Sequence, residues 1–241
     1  MDYKYPTPQL LFKAICNAIR SKTGNSDEIP HQNIPDELDS IIIDEEEYNI
    51  EMQRFIDIIE GASFINDRIT TVKDQLFYYC TILTTIDLPE CTSIGNMAFR
   101  GCTSLATVDL PECTSIGNSA FESTSLTTID LPKCTSIGNG AFNNCTNLTT
   151  VNLPECTSIE GSAFSRCTNL TTIILSNNQV VTLDNINAFY NSSIANGTGY
   201  IYVSANLVNS YKTATKWSTY ANRIKPLSEL PSNLKEEYGY D

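Results

Sequence analysis

Three consecutive stretches decide the fold: FRGCTSLATVDLPECTSIGNSA (Phe99–Ala120), FESTSLTTIDLPKCTSIGNGA (Phe121–Ala141) and FNNCTNLTTVNLPECTSIEGSA (Phe142–Ala163). The same phrase starts at Phe77 and fades after Phe164, so marker phenylalanines stand at Phe77, Phe99, Phe121, Phe142, Phe164 and Phe189. The period is about 22 residues; one coil is a residue short, Glu122 running directly into Ser123, and the last is three residues longer. A single unit of this size has apolar faces above and below and cannot close a core. Stacking the units supplies the missing surface, and the expected fold is a solenoid.

Within each unit a leucine is followed three residues on by Ile or Val and two further by a second leucine, as in Leu105, Val108 and Leu110. The last two of these fall on one face of a strand. Pro89, Pro111, Pro132 and Pro154 have no amide hydrogen for a ladder, so each strand ends there. A second inward set follows at Ile94, Ala98 and Phe99 and their equivalents, with Gly95, Gly117 and Gly138 expected at bends. Leu110, Leu131 and Leu153 should form one buried stripe. At about 4.8 Å per rung, five or so rungs make a body roughly 25 Å long, and its ends need caps.

Working outward, residues 1–62 are an acidic helical segment. Thr7 and Pro8 open a helix pattern that stops at Gly24, a second helix starts after Pro35, and the run Asp44–Glu47 precedes a third pattern at Ile50, Phe55, Ile58 and Ile59. Acids at a helix start complement its positive dipole end, so that run is read as structural. The solenoid is assigned to 63–198 and a strand–helix cap to 199–227. In the cap Tyr200–Val203 alternates as a strand, and Leu207–Ile224 is expected as one helix carrying Tyr211, Trp217 and Tyr220 over the last rung. Residues 228–241 are assigned as a flexible tail.

The formal charge of −13 repels phosphate backbones, so nucleic acid is not expected as a partner. No stretch approaches the roughly 20 apolar residues of a membrane span, and the opening MDYKYPTPQLLFKAIC lacks the pattern of a leader. No membrane insertion is expected. The chain as given would be made in the cytoplasm and could act at a surface if carried there.

The nine cysteines are odd in number, and all but Cys16 follow the repeat. Cys80, Cys91, Cys102 and Cys113 are eleven residues apart, as are Cys134, Cys145, Cys156 and Cys167, with Ser123 read as the replacement in the short coil. Half a coil between neighbours makes two columns, whose rungs are too far apart and too parallel for disulfides. Buried thiols are expected. No C-x-x-C pair suits zinc, and no cofactor is expected.

His31, the sole histidine, has no G-x-S-x-G or other nucleophile motif beside it, and neither a phosphate loop nor an H-E-x-x-H helix is present. Acids are plentiful enough for a glycosidase-like pair, but abundance alone gives no geometry. The chain is read as non-enzymatic.

What remains is the solvent side of the first strand. Alternation turns Thr85 and Asp87, Thr107 and Asp109, Thr128 and Asp130, and Thr150 and Asn152 outward, a threonine column beside an acidic one. Stacked like charges repel, which hints at a use, although duplication of one ancestral unit would also produce the column. Hydroxyls and carboxylates suit a basic protein patch or a polar glycan, and calcium bridging of Asp87, Asp109 and Asp130 is a weaker variant.

The unit of Leu, strand and Leu-Pro, then S-I-G-N-x-A-F and Cys three residues later, resembles the BspA-type leucine-rich repeats of bacterial surface proteins over Val72–Phe189. The segment YIYVSANLVNSYKTATKWSTYANRIKPL (Tyr200–Leu227) resembles the cap that follows such repeats in gut Firmicutes and their prophages. LLFKAICNAIRSKTGNSDEIPHQNIPDEL (Leu10–Leu38) is similar to a segment of phage tail-associated proteins. The resemblance implies a leucine-rich-repeat solenoid with a parallel sheet on one face. It also implies a recognition or adhesion module for a surface protein or glycan; residues 1–62 either pack on the first rung or act as a docking handle to a phage particle or cell wall. The alternative is a structural spacer or assembly component without a ligand of its own.

Overall fold

A computed structural model describes residues 63–65, 69–81 and 83–240. The helices expected within 1–62, and His31 with them, lie outside the described residues.

The chain winds with two short strands per coil, one on each of two faces. On the first face lie β1 (Ser63–Ile65), β3 (Thr85–Asp87), β5 (Thr107–Asp109), β7 (Thr128–Asp130), β9 (Thr150–Asn152), β11 (Thr172–Leu175), β13 (Tyr200–Val203) and β14 (Ile224–Pro226). On the second lie β2 (Thr71–Val72), β4 (Ser93–Ile94), β6 (Ser115–Ile116), β8 (Ser136–Ile137), β10 (Ser158–Ile159) and β12 (Thr182–Leu183). Every pairing is parallel and joins equivalent residues of successive coils, for example Thr85 with Thr107 and Ile94 with Ile116. The second face is one six-stranded ladder, so the parallel sheet expected on one face is matched by another on the opposite side.

The first face is divided into β1-β3-β5 and β7-β9-β11-β13-β14. The short coil explains the division. Two residues separate Cys102 from Leu105, but one separates the equivalent Thr124 from Leu126, so β7 enters out of step with β5. Val108 is accordingly half-buried, whereas Ile86, Ile129 and Val151 are buried in full.

The return path carries a third set of coil-to-coil bonds. Phe77, Phe99, Phe121 and Phe142 each donate their backbone N–H to the alanine carbonyl one coil on, at 2.7–2.8 Å. To present those groups the backbone takes a left-handed conformation two residues before and two after each phenylalanine, as at Met97 and Gly101 or Ser119 and Ser123. Gly95, Gly117 and Gly138, expected at bends, have no such φ. They answer a different need, close approach: a Cβ on Gly117 would lie 2.7 Å from the carbonyl carbon of Gly95.

Inside, the six phenylalanine rings stack at 5.1–5.8 Å with interplanar angles of 10° or less. Leu110, Leu131 and Leu153 are buried in the same core. At the C-terminal end Trp217 and Tyr220 close the stack on Phe189, at 6.0 and 5.2 Å. The single helix expected over Leu207–Ile224 is broken into α1 (Val208–Thr213) and a 3-10 turn (Trp217–Arg223), with Ala214 extended and Lys216 at φ 69°. Residues six apart on an α-helix point about 120° away from each other. Only a break lets Tyr211 and Trp217 reach the same rung, where the backbone N–H of Val181 donates to the Tyr211 hydroxyl and the Trp217 indole donates to the Val181 carbonyl.

Where the sequence suggests a flexible tail, at 228–241, the structure has a 3-10 turn (Leu227–Glu229) and α2 (Ser232–Tyr238), ended by Gly239 in the left-handed conformation. This strap turns back across the outside of the first face. Leu230 packs with Ile174 and Tyr202 as a second small cluster, flanked by Leu234, Tyr238 and Tyr240.

Candidate functional site

Parallel stacking makes residue columns of the outward positions on the first face, and the strap divides those columns in two. Thr107, Asp109, Thr128 and Asp130 are exposed, while Thr85 and Asp87 are half-buried. Thr150 and Asn152, assigned to the same surface, are buried at 6% and 5% exposure. Thr172 and Ile174, next in the columns, are buried too. The cover is the strap. The Tyr240 hydroxyl lies 2.9 Å from Asn152 Oδ1 and 2.9 Å from Ser176 Oγ, while the Asn152 amide donates to Asp130 Oδ1 at 2.9 Å. Eight of the sequence-assigned residues therefore share a face, but two of them are covered, and it is the three rungs β3, β5 and β7 that keep an accessible acidic column.

Asp130 stands at the border. Burial beneath the strap pushes its carboxyl above the ordinary value; the Asn152 hydrogen bond opposes this, and the charges of Glu237 and Asp109 add to the rise. Tyr238 and Tyr240 are also raised, in both cases chiefly by burial, Tyr238 additionally by Glu237. The seam between strap and face is thus acid against acid, held by apolar contact and neutral hydrogen bonds. The sequence carried a signal for it in Leu230, Leu234 and Tyr238, spaced by four, which fit one side of a short helix.

The cysteines form the two expected columns. Cys91, Cys113, Cys134 and Cys156 each donate to the carbonyl two residues on, at 3.3–3.4 Å. Cys102, Cys145 and Cys167 donate to phenylalanine carbonyls of the preceding coil at 3.0 Å. The replacement in the short coil is Thr124, not Ser123. Counted from its phenylalanine, Thr124 falls third like the cysteines, is buried, and places Oγ1 3.2 Å from Cys145 Sγ. Ser123 takes one of the left-handed positions instead. The eight described cysteines are free thiols, and burial pushes Cys113, Cys134 and Cys156 up to about 12. They are protonated and unreactive at neutral pH.

Among the described residues no group of three or more His, Cys, Asp or Glu side chains is placed to hold a metal ion, so Asp87, Asp109 and Asp130 stand in a line rather than a cage. No described helix is long and apolar enough to cross a membrane.

With stacked coils, parallel ladders and a leucine stripe established, the sequence matches the family described as "BspA type Leucine rich repeat region (6 copies)" over residues 32–145 and 70–196. The chain belongs to the BspA-type leucine-rich-repeat family. The match begins at residue 32, ahead of β1. BspA-type repeats are in general binding modules rather than enzymes. No curated protein matches the chain. Among solved structures it is similar to a Treponema pallidum leucine-rich-repeat protein, with 24% identity, 70% of this chain and 75% of that one covered, and a TM-score of 0.43. It is similar to a leucine-rich cell-surface protein of Faecalibacterium prausnitzii, with 25% identity, 57% and 45% coverage and a TM-score of 0.39. The pneumococcal vaccine antigen PcpA follows at 14% identity, 68% and 40% coverage and a TM-score of 0.47. The chain thus spans under half the length of the latter two, and these likenesses say nothing of what it binds.

Proposed function

We propose that this BspA-type repeat is a non-enzymatic recognition module whose contact surface is the open part of the first face, Thr85, Asp87, Thr107, Asp109, Thr128 and Asp130. The observation that carries the reading is the uneven cover: the strap buries Thr150 and Asn152 but leaves the adjoining threonine and aspartate columns in solvent. Asp87 and Asp109 on paired strands, about 4.8 Å apart, continued by Asp130 across the break between β5 and β7, stand beside a row of hydroxyls and offer acceptors and negative charge, with no aromatic platform. A basic patch on a surface protein fits it better than a neutral ligand, because bringing cations to the row relieves its self-repulsion. Residues 1–62 then serve to attach the repeats to a carrier, a cell wall or a phage particle, so that the module works at a cell or virion surface.

The Asp109→Asn/Asp130→Asn double variant tests this. Capture of a surface protein by the intact chain should weaken about tenfold or more in the variant and in wild type as salt is raised. Equal capture by both proteins, with melting temperatures unchanged or higher in the variant, would remove the acidic column as the site.

The strap also favours a second reading, a structural spacer. It spends part of the face on intramolecular contact, as a projecting or assembling element could do without loss. A chain lacking 1–62 separates the two readings. Surface binding kept while carrier attachment is lost supports the module, and absence of surface binding with or without 1–62 supports the spacer.

A further inference from the structure

Far from the acidic column, the coil after Phe164 abandons the repeat. Eleven positions separate Phe189 from Tyr200, whereas eight separate Phe164 from Thr172, the register partner of Tyr200. Residues of this longer connection and of the 3-10 turn Ile186–Phe189 face residues of the 3-10 turn Trp217–Arg223 of the cap, while Phe189 and Ile194 are buried in the main core. Between them is a cleft of about 390 Å3, within the roughly 300–1,000 Å3 of small-molecule sites.

Its lining is unlike the rest of the surface. The large apolar side chains exposed among the described residues are Ile186 and Tyr190, at 50% and 58%, and both line this cleft. In a chain of net charge −13 its lining contains no acid. Asn187, Asn196 and Asn222 also line it, and no hydrogen bond within the described residues engages their side-chain amides. The floor is fixed: Tyr220 is buried edge-on against Phe189 and its hydroxyl donates to the Ile186 carbonyl. Arg223 is already committed, donating to the Gly197 carbonyl and lying 5.5 Å from the centroid of the Tyr200 ring.

We infer that this cleft is a binding site for a neutral saccharide, one or two pyranose units of a larger glycan. An amide offers donors and an acceptor side by side, the complement of neighbouring hydroxyls that are both. The Tyr190 ring, more than half exposed and stacked on no other ring among the described residues, is free to meet the apolar C–H face of a pyranose. The lining holds no acid to attract a cation, and the Arg223 guanidinium is drawn to the Gly197 carbonyl and the Tyr200 ring, so the unengaged amides rather than an ion pair are what the cleft offers a ligand. A peptide could use the ring but would not need three unengaged amides around it. The site is separate from the acidic column and does not rest on it.

The intact chain is tested against neutral oligosaccharides, acidic oligosaccharides and short peptides, with Tyr190→Ala, Tyr190→Phe and Asn222→Ala made in the full-length protein. These side chains are outside the core, and melting temperatures verify that each variant is folded. The expected result is saturable binding of a neutral saccharide, weakened about tenfold or more by Tyr190→Ala. Tyr190→Phe should keep it, Asn222→Ala should weaken it, and Asp109→Asn should leave it unchanged. The inference is overturned if no neutral saccharide binds at about 10 mM. It is equally overturned if Tyr190→Ala leaves the affinity as it was, if acidic sugars alone or a peptide alone bind through Tyr190, or if Asp109→Asn abolishes the binding.

Discussion

Gly117 shows how tightly one atom is specified when coils repeat. A Cβ there would lie 2.7 Å from the carbonyl carbon of Gly95 and 2.8 Å from the backbone nitrogen of Asn96. Both are main-chain atoms held by the neighbouring coil, so the clash cannot be relieved by turning a side chain. Gly117→Ala should destabilise the protein by about 1–3 kcal/mol in a denaturant titration. No loss of stability would mean that the coils can spread at little cost. Asp130 gives a residue-scale prediction of opposite sign. Its carboxyl is raised above 3.8 in the folded protein, so folding takes up protons between 3.8 and the folded value. Stability from this group therefore falls as pH rises through that window and stays lower above it. Asp130→Asn should raise the melting temperature relative to wild type by about 1–2 °C at pH 7, and the difference should vanish below the window. The amide can still accept from Asn152, which keeps the comparison clean.

At the scale of elements, the strap is the part whose stability can be separated from the rest. It touches the solenoid through Leu230, Leu234, Tyr238 and Tyr240, in a cluster distinct from the main core. Leu230→Ala, at a site 3% exposed in the parent, removes the central apolar contact. We predict that it opens the strap without unfolding the coils: hydrogen exchange at residues 232–240 rises about tenfold or more, while the amides of β6 and β8 keep their protection. Equal acceleration in strap and coils would show that the strap is part of one cooperative unit. The same elements show why sequence reading succeeds in one place and stops in another. The coils repeat, so Leu110, Leu131 and Leu153 confirm one another, and an error at one rung would contradict its neighbours. The cap and strap occur once. Leu230, Leu234 and Tyr238 have helical spacing, but about two helical turns among Glu236, Glu237 and Lys235 have the composition of a solvated tail. The outward threonines and aspartates follow from strand alternation alone. That Thr150 and Asn152 lie covered depends on a long-range fold-back which no local pattern encodes. Thr124 was hidden by a one-residue gap whose position becomes plain from the count after Phe121 and from the buried hydroxyl's contacts with the Phe121 carbonyl and Cys145.

For the whole molecule, a solenoid has no centre, and stability passes from coil to coil through shared interfaces. The phenylalanine stack makes this visible: each internal ring has a neighbour on both sides, and Phe189 would lack one if Trp217 and Tyr220 were not there. Trp217 is 1% exposed and its indole N–H satisfies the carbonyl of Val181 at 2.7 Å. Trp217→Ala would leave a cavity against the last ring and an unpaired buried carbonyl, a cost of about 3–5 kcal/mol. Because contacts are between neighbours, that loss should not be shared equally. Hydrogen exchange should rise first in β11, β12 and β13, next to the damaged cap, and least in β4, β6 and β8. The denaturant transition should broaden as the C-terminal coils come apart before the others. A uniform rise in exchange over all coils, with one sharp transition, would mean that the stack unfolds as a single unit and that the cap secures every rung alike. Should the graded pattern hold, the two surfaces would differ in robustness. The acidic column on β3, β5 and β7 sits amid the coils that open last, while the Tyr190 cleft is built on the end that opens first. Binding at the cleft would then stabilise the cap, and loss of the cap would abolish the cleft before it touched the column.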